Sequence, residues 1–152
     1  MWDLPAGAIG GRVYSLREIE HGQLRRRWRE PGIHACLARA SRGGPDLGAR
    51  AFEARQLAAQ IDERCRAWLE DASKGARVDR ARGELVLSRL LLWYEADWAR
   101  PGDTRAWPAV EWAVSRLPPD DAVWVRENWR RVRVRFFEHD WALNSQRDAD
   151  II

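Results

Sequence analysis

The sequence predicts a helix-rich α+β single domain with a few short strands. Three observations predict it. A chain of 152 residues suits one domain and can hide roughly 70% of the surface exposed by its unfolded form. Its apolar residues recur mostly at helical spacing, with only short stretches of alternation. Helical and strand signals follow one another in mixed order, without a repeat or a long linker, as in α+β folds. With 45% hydrophobic and 32% charged residues, the chain as a whole is not of the disordered class.

Residues 1–13, with Pro5-Ala6-Gly7 and Gly10-Gly11, read as an N-terminal loop leading into a domain over 14–144. Ser15 and Glu18 form a capping box that starts a helix with Leu16, Ile19 and Leu24 on one face. That helix stops before Pro31-Gly32. Ile33 to Ala40 is short and apolar, and as a strand it would place His34 and Cys36 on the same side; Gly43-Gly44-Pro45-Asp46 ends it as a turn. The strongest helix covers about Phe52 to Ala72, its stripe formed by Leu57, Ile61, Cys65, Trp68 and Ala72.

Val78 to Leu87 reads as a hairpin turning at Arg82-Gly83, followed by an apolar helix from Leu87 to Trp98 that ends at Pro101-Gly102. Pro108 suits the first turn of a helix carrying Val110, Val114 and Leu117. After Pro118-Pro119, the pair Asp120-Asp121 is expected to cap another helix through Trp129. Val132, Val134 and Phe136 alternate with Arg131, Arg133 and Arg135 as a half-buried strand, and 145–152 reads as a disordered tail.

No apolar run approaches the roughly 18 residues of a membrane span. The N-terminus lacks the basic start and apolar stretch of a secretion signal, so a cytoplasmic location and no membrane partner are expected. Of the 26 basic residues only Lys74 is Lys; the rest are Arg, and the net charge is only +3. Concentrations at Arg12 to Arg29 and Arg126 to Arg135, interleaved with Trp, have chemistry suited to nucleic acid. The Val/Arg alternation instead fits the solvated face of a strand, so nucleic acid ranks last among partners.

Cys36 with His34, oriented by Asp140 or Asn144, is the one candidate catalytic set, that of a Cys-dependent hydrolase or transferase. Cys65 sits in an apolar stripe and reads as core. His21, His34 and His139 include no His-x-x-x-His pair, so no metal is expected, and no Gly-rich phosphate loop calls for a cofactor. Trp68 and Trp93 read as core, whereas Trp107, Trp112, Trp124 and Trp129 are expected to sit partly at the surface.

Val13-Tyr14-Ser15-Leu16, Ile19-Glu20-His21-Gly22, Leu24-Arg25, Ile33-His34, Leu37, Ser41-Arg42 and Pro45 together resemble the domain of unknown function 547 family. Further matches are Leu57, Gln60, Leu87-Ser88, Trp93-Tyr94, Asp97, Asp140-Trp141 and Leu143-Asn144. Glu20, His21, Arg25, Ser41, Trp93, Tyr94, Asp97 and Asn144 are therefore candidate binding positions, with no role assigned by the resemblance. It also implies an aromatic, Asn-rich segment upstream of Tyr14-Ser15-Leu16, so that Met1 is expected to be an internal start or the chain a truncated copy. A Ser-Cys-Pro step and an earlier Cys, implied by the same resemblance, are replaced here by Gly43-Gly44-Pro45 and Arg39. The resulting expectation is a catalytically degenerate or non-enzymatic domain acting by contact with another protein. A Cys-dependent enzyme is the alternative, and an Arg/Trp nucleic-acid binder the second alternative.

Overall fold

The computed structural model describes residues 2–99 and 107–145, and the α+β architecture expected from the sequence is present. The stretch expected as an N-terminal loop is instead a hairpin: β1 (Pro5–Ile9) pairs antiparallel with β2 (Arg12–Ser15). Gly10 and Gly11 turn it with φ of +58° and +79°, a conformation that suits a two-residue hairpin and costs glycine little. The capping box forms as expected, Ser15 N–H donating to Glu18 and Glu18 N–H to the Ser15 hydroxyl at 2.9 and 3.1 Å. Helix α1 (Glu18–Trp28) then winds in the wide π manner until Arg29, in the left-handed region at φ 51°, ends it.

Residues 33–36 depart from expectation. They form a one-turn helix, α2 (Ile33–Cys36), not a strand. Four apolar residues do not distinguish the two by periodicity, and the carbonyls of Glu30, Pro31, Gly32 and Ile33 each accept an N–H three or four residues on. Helix α3 (Leu57–Glu70) is shorter than expected at both ends. The Gln60 amide folds residues 51–53 back by bonding Ala51 O and Glu53 N–H, so they do not continue the helix. At the other end Asp71 accepts from Ser73 N–H in a local turn.

β3 (Ala76–Asp79) and β4 (Glu84–Leu87) form the expected hairpin, with Gly83 at φ +65°. β5 (Arg133–Phe136) joins β4 in parallel, giving the order β3-β4-β5. Its side chains alternate as expected, and Arg133 and Arg135 reach the Glu84 carboxylate at 3.2 and 3.8 Å. Between β4 and β5 lie α4 (Arg89–Trp93), a 3-10 turn (Glu95–Asp97), α5 (Pro108–Val114) and α6 (Pro119–Glu127). The expected single helix from Leu87 to Trp98 is thus two pieces; its expected end at Pro101-Gly102, like the tail after Ser145, lies outside the described residues. Pro118, not an aspartate, precedes α6, and Asp121 is drawn off to Arg80 at 2.9 Å.

The core lies between α3, β4 and the helices after it. Cys65, Trp68 and Leu69 pack with Leu85, Leu87, Leu90, Leu91, Val110, Ala113 and Val125. Each buried leucine contributes about 1.5–3 kcal/mol relative to exposure. Cys65 is the core residue expected, and burial pushes its thiol up to about 12. Trp93 is not core. Leu90 and Leu91 occupy the inward face of α4, which leaves the Trp93 indole outside and 47% exposed. Trp107 and Trp129 are exposed, while Trp112 and Trp124 lie at the core edge.

Gly75 joins α3 to β3 so closely that a Cβ there would overlap the Trp68 carbonyl. Gly75→Ala is expected to destabilise the protein by about 2 kcal/mol or more, because backbone must move. Urea unfolding checks it; a midpoint equal to that of the wild type would contradict this packing.

Candidate functional site

Two side-chain groups gather the residues singled out in the sequence. The first surrounds Tyr94. From α1 come Glu20, His21 and Arg25, from α2 His34, from the segment after it Arg39, and from the 3-10 turn Asp97. Arg25 grips Asp97 with two N–H groups at 2.6 and 2.9 Å, and His34 Nε2 meets the same carboxylate at 2.7 Å. Arg25 also lies 2.7 Å from His21 Nδ1. Arg39 donates to the buried Glu20 at 2.9 Å. Both guanidiniums lie over the Tyr94 ring, at 4.7 and 4.9 Å, and the His34 ring stacks on it at 4.2 Å.

Charge and burial compete here. Burial pushes Asp97 up, but Arg25 and His34 outweigh it and hold the carboxyl below its ordinary value. Glu20 behaves alike: burial raises it, Arg39 pulls harder, and the net direction is down. For His34 burial itself lowers the pKa and outweighs Asp97, so the ring is neutral near pH 7. Arg25 is raised by its bonds to Asp97.

The second group is built by the C-terminal segment. Arg42 N–H donates to Ala142 O, Gly43 N–H to Asp140 O and Asn144 N–H to Ala40 O, each at 2.9 Å, so 140–144 lies along 40–43 as a strap. Ser41 pairs with Leu143 in an isolated bridge. The strap sets His139 Nε2 3.0 Å from the Ser41 hydroxyl. Gly43 permits this approach, since a Cβ there would lie 2.6 Å from Asp140 N and 3.0 Å from His139 Nδ1. Trp93 and Trp141 stack at 5.6 Å, and the His139 ring touches both, at 5.0 and 4.4 Å. Asn144 binds Asp46 at 2.9 Å, which Lys74 also holds at 2.7 Å. Beside the strap is a cavity of about 250 Å³ lined by residues that include Arg42, Gly43, Lys74, Ser88, Arg89 and His139.

The catalytic set expected from the sequence is not assembled. On a helix, residues two apart diverge by about 200°, and His34 and Cys36 have different partners. Cys36 donates to Gly32 O at 3.4 Å, burial pushes its thiol up to about 11, and the charges acting on it are those of Arg64 and Glu30. His34 is held by Asp97, while an Asp140 oxygen accepts from Ala142 N–H. Of the candidate binding residues, Glu20, His21, Arg25, Tyr94 and Asp97 meet in the first group, and Ser41, Trp93 and Asn144 meet in the second. Arg39 in the first group, and Ser88, Lys74, Arg89, His139 and Trp141 in the second, are not among the site residues named from the sequence. The Leu87-Ser88 match and the adjacency of His139 to Asp140-Trp141 were the available signals. Among the described residues no group of three or more His, Cys, Asp or Glu is placed to hold a metal ion, and no helix is long and apolar enough to cross a membrane.

Residues 1–69 match the family described as protein of unknown function, DUF547. This shows the resemblance read from the sequence over that stretch, which holds α1, α2 and the Ser41 to Pro45 segment. The DUF547 match leaves Trp93, Tyr94, Asp97 and the strap outside its bounds. No curated protein and no solved structure matches the chain.

Two titrations follow from the network around Tyr94. His34 has a folded pKa below its unfolded value of about 6.5, so its contribution to stability is present above that pH and is lost as pH falls toward the folded value. Asp97 and Glu20 are depressed carboxyls, whose contribution is present above about 4 and lost as pH falls through their folded values. Melting temperature is therefore expected to fall in two stages on acidification. In His34→Gln the first stage should shrink to the part contributed by His139, whose pKa burial also lowers, while the second remains; an undiminished first stage would show that His34 does not contribute to it.

Proposed function

We propose that this chain is a non-catalytic domain that acts by contact with another protein, through the face formed by Trp93, His139 and Trp141. The observation that supports the reading is the exposed aromatic stack itself: Trp93 is 47% and Trp141 71% exposed although their rings are stacked. Indoles bury large areas when covered and are favoured as anchors at protein interfaces. Here the stack is pre-ordered by His139 and the strap, so little freedom remains to be lost on binding. Leu143, 65% exposed, extends the apolar surface along the strap, and Arg42, Asp46 and Asn144 supply a polar rim. The raised Cys36 thiol, held on a carbonyl, suits a domain without thiol chemistry.

The chemistry of the face fits a partner segment that presents an apolar or aromatic side chain. The test is affinity capture from the native host with wild type, Trp93→Ala, Trp141→Ala and, as a control remote in sequence, Trp129→Ala. A protein retained by wild type and Trp129→Ala is expected to bind each of the other two variants at least about tenfold more weakly, as for an interface anchor. Melting temperatures of the two variants should stay close to wild type, since both indoles are largely outside the core. Equal capture by all four proteins would remove the reading, as would mass measurement showing no complex for any of them.

A further inference from the structure

We propose that the cavity beside the strap is a binding site for a small oxyanion, the phosphate or carboxylate group of a soluble ligand. The inference rests on Ser88. Its place before α4 is that of an N-cap, where a serine hydroxyl ordinarily accepts from a helix N–H, yet here it makes no such bond. The residue is 1% exposed, its hydroxyl has no hydrogen-bond partner among the described residues, and it lines the cavity. A buried hydroxyl left unpaired costs about 1–3 kcal/mol, a cost removed when a ligand or water in the cavity takes the bond.

A second buried polar atom without a partner, His139 Nδ1, belongs to the same wall. Its ring is fixed from the other side by Ser41 at Nε2, and burial together with Arg39 lowers its pKa. When Ser41 donates to Nε2, the neutral imidazole carries its proton on Nδ1 and becomes a donor.

The charged residues of the lining are arranged by depth. Lys74, with a side chain only 14% exposed, and half-buried Arg89 are less exposed than the other charged residues of the lining, Arg42, Glu138 and Asp140. Asp140 is occupied by Ala142 N–H, and Lys74 is shared with Asp46 and Asp71. Arg89 makes no ion pair among the described residues, so its guanidinium is available to an anion. The volume of about 250 Å³ admits a phosphate or carboxylate with a small organic remainder. This site is separate from the stacked indoles, although His139 borders both.

Titration of the whole chain with inorganic phosphate and with acetate, followed by calorimetry and by the His139 imidazole resonances, tests the inference. Saturable binding of at least one anion is expected, with His139 resonances moving and those of His21 still. Tighter phosphate binding points to a phosphorylated ligand, and tighter acetate binding to a carboxylic acid. Ser88→Ala should weaken the preferred anion by about tenfold, as loss of a hydrogen bond to a charged group does, and Arg89→Gln by at least as much. Ser88→Cys, close in size, serves as a second variant that preserves packing and should also bind weakly. Leu143→Ala, exposed on the aromatic face and not part of the cavity lining, should bind the anion as wild type does, which separates this site from the protein-contact reading. Absence of saturable binding to either anion, or undiminished binding by both Ser88 variants, overturns the inference.

Discussion

Asp97 is the point on which the first half of the molecule depends. Its two carboxylate oxygens accept from Arg25 of α1 and from His34 of α2, residues 72 and 63 positions away. A small helix such as α2 has no independent stability, and α1 has a polar composition that would not hold a core face by itself. The carboxylate therefore does what apolar packing does elsewhere: it fixes two weak helices against the turn that follows α4. Charge-assisted bonds are suitable because they are directional as well as strong. Tyr94, three residues earlier, completes the arrangement by offering one ring to two guanidiniums and the His34 imidazole.

With α2 fixed, the chain from Leu37 to Pro45 is fixed as well, and the strap can pair with it. Ala40 takes a left-handed φ of 55° immediately before Ser41, a cost that ordinary L residues avoid unless the surroundings enforce it. The enforcing contact is visible: Asn144 N–H bonds the Ala40 carbonyl, and the next residues pair with Ala142 and Asp140. Order thus passes from Asp97 through α2 to the strap, and from the strap to His139, Trp141 and one wall of the cavity. The aromatic face and the cavity are consequences of the same pairing, which explains why they share the His139 side chain.

The parts of this fold that were legible in the sequence are those with short-range causes. Ser15 and Glu18 specify a capping box three residues apart, Gly83 specifies a turn, and the alternation of Val134 and Phe136 with arginines specifies a half-buried strand. The β1 hairpin also had a local sign, Gly10-Gly11 between Ile9 and Arg12, but Pro5-Ala6-Gly7 has little strand propensity and masked it. Ile33 to Cys36 is too short an apolar run to show a period, so its sequence does not distinguish a strand from the helical turn it forms. The site was less legible than the fold. Glu20, Arg25, Tyr94 and Asp97 could be named as positions, but Arg25–Asp97 is a pairing that only tertiary structure creates. Ser88 is named in the sequence only within the Leu87-Ser88 match, and its unpaired buried hydroxyl is a consequence of the tertiary packing.

Arg39 shows how the two groups are joined. The resemblance to the domain of unknown function 547 family implies a cysteine at this place, and an arginine there changes the physics on both sides. Its guanidinium is nearly buried with Glu20, and it is what keeps that carboxylate ionised against burial. A cysteine could not do so; Glu20 would either take up a proton or remain an unpaired buried charge, a situation costing several kcal/mol. Burial is the main cause of the lowered pKa of His34 and of His139, and the same positive charge acts in the same direction, so both imidazoles are neutral near pH 7. Arg39 therefore adds a second ion pair to α1, beside Arg25–Asp97, and contributes to the lowered pKa of the ring shared by the cavity and the aromatic face. In a thiol-dependent site a cation near the sulfur would lower its pKa, but Cys36 is raised to about 11 and Arg39 is not among the charges acting on it. Among the described residues the charge network around Tyr94 is consequently organised around carboxylates and imidazoles, while burial raises both thiols.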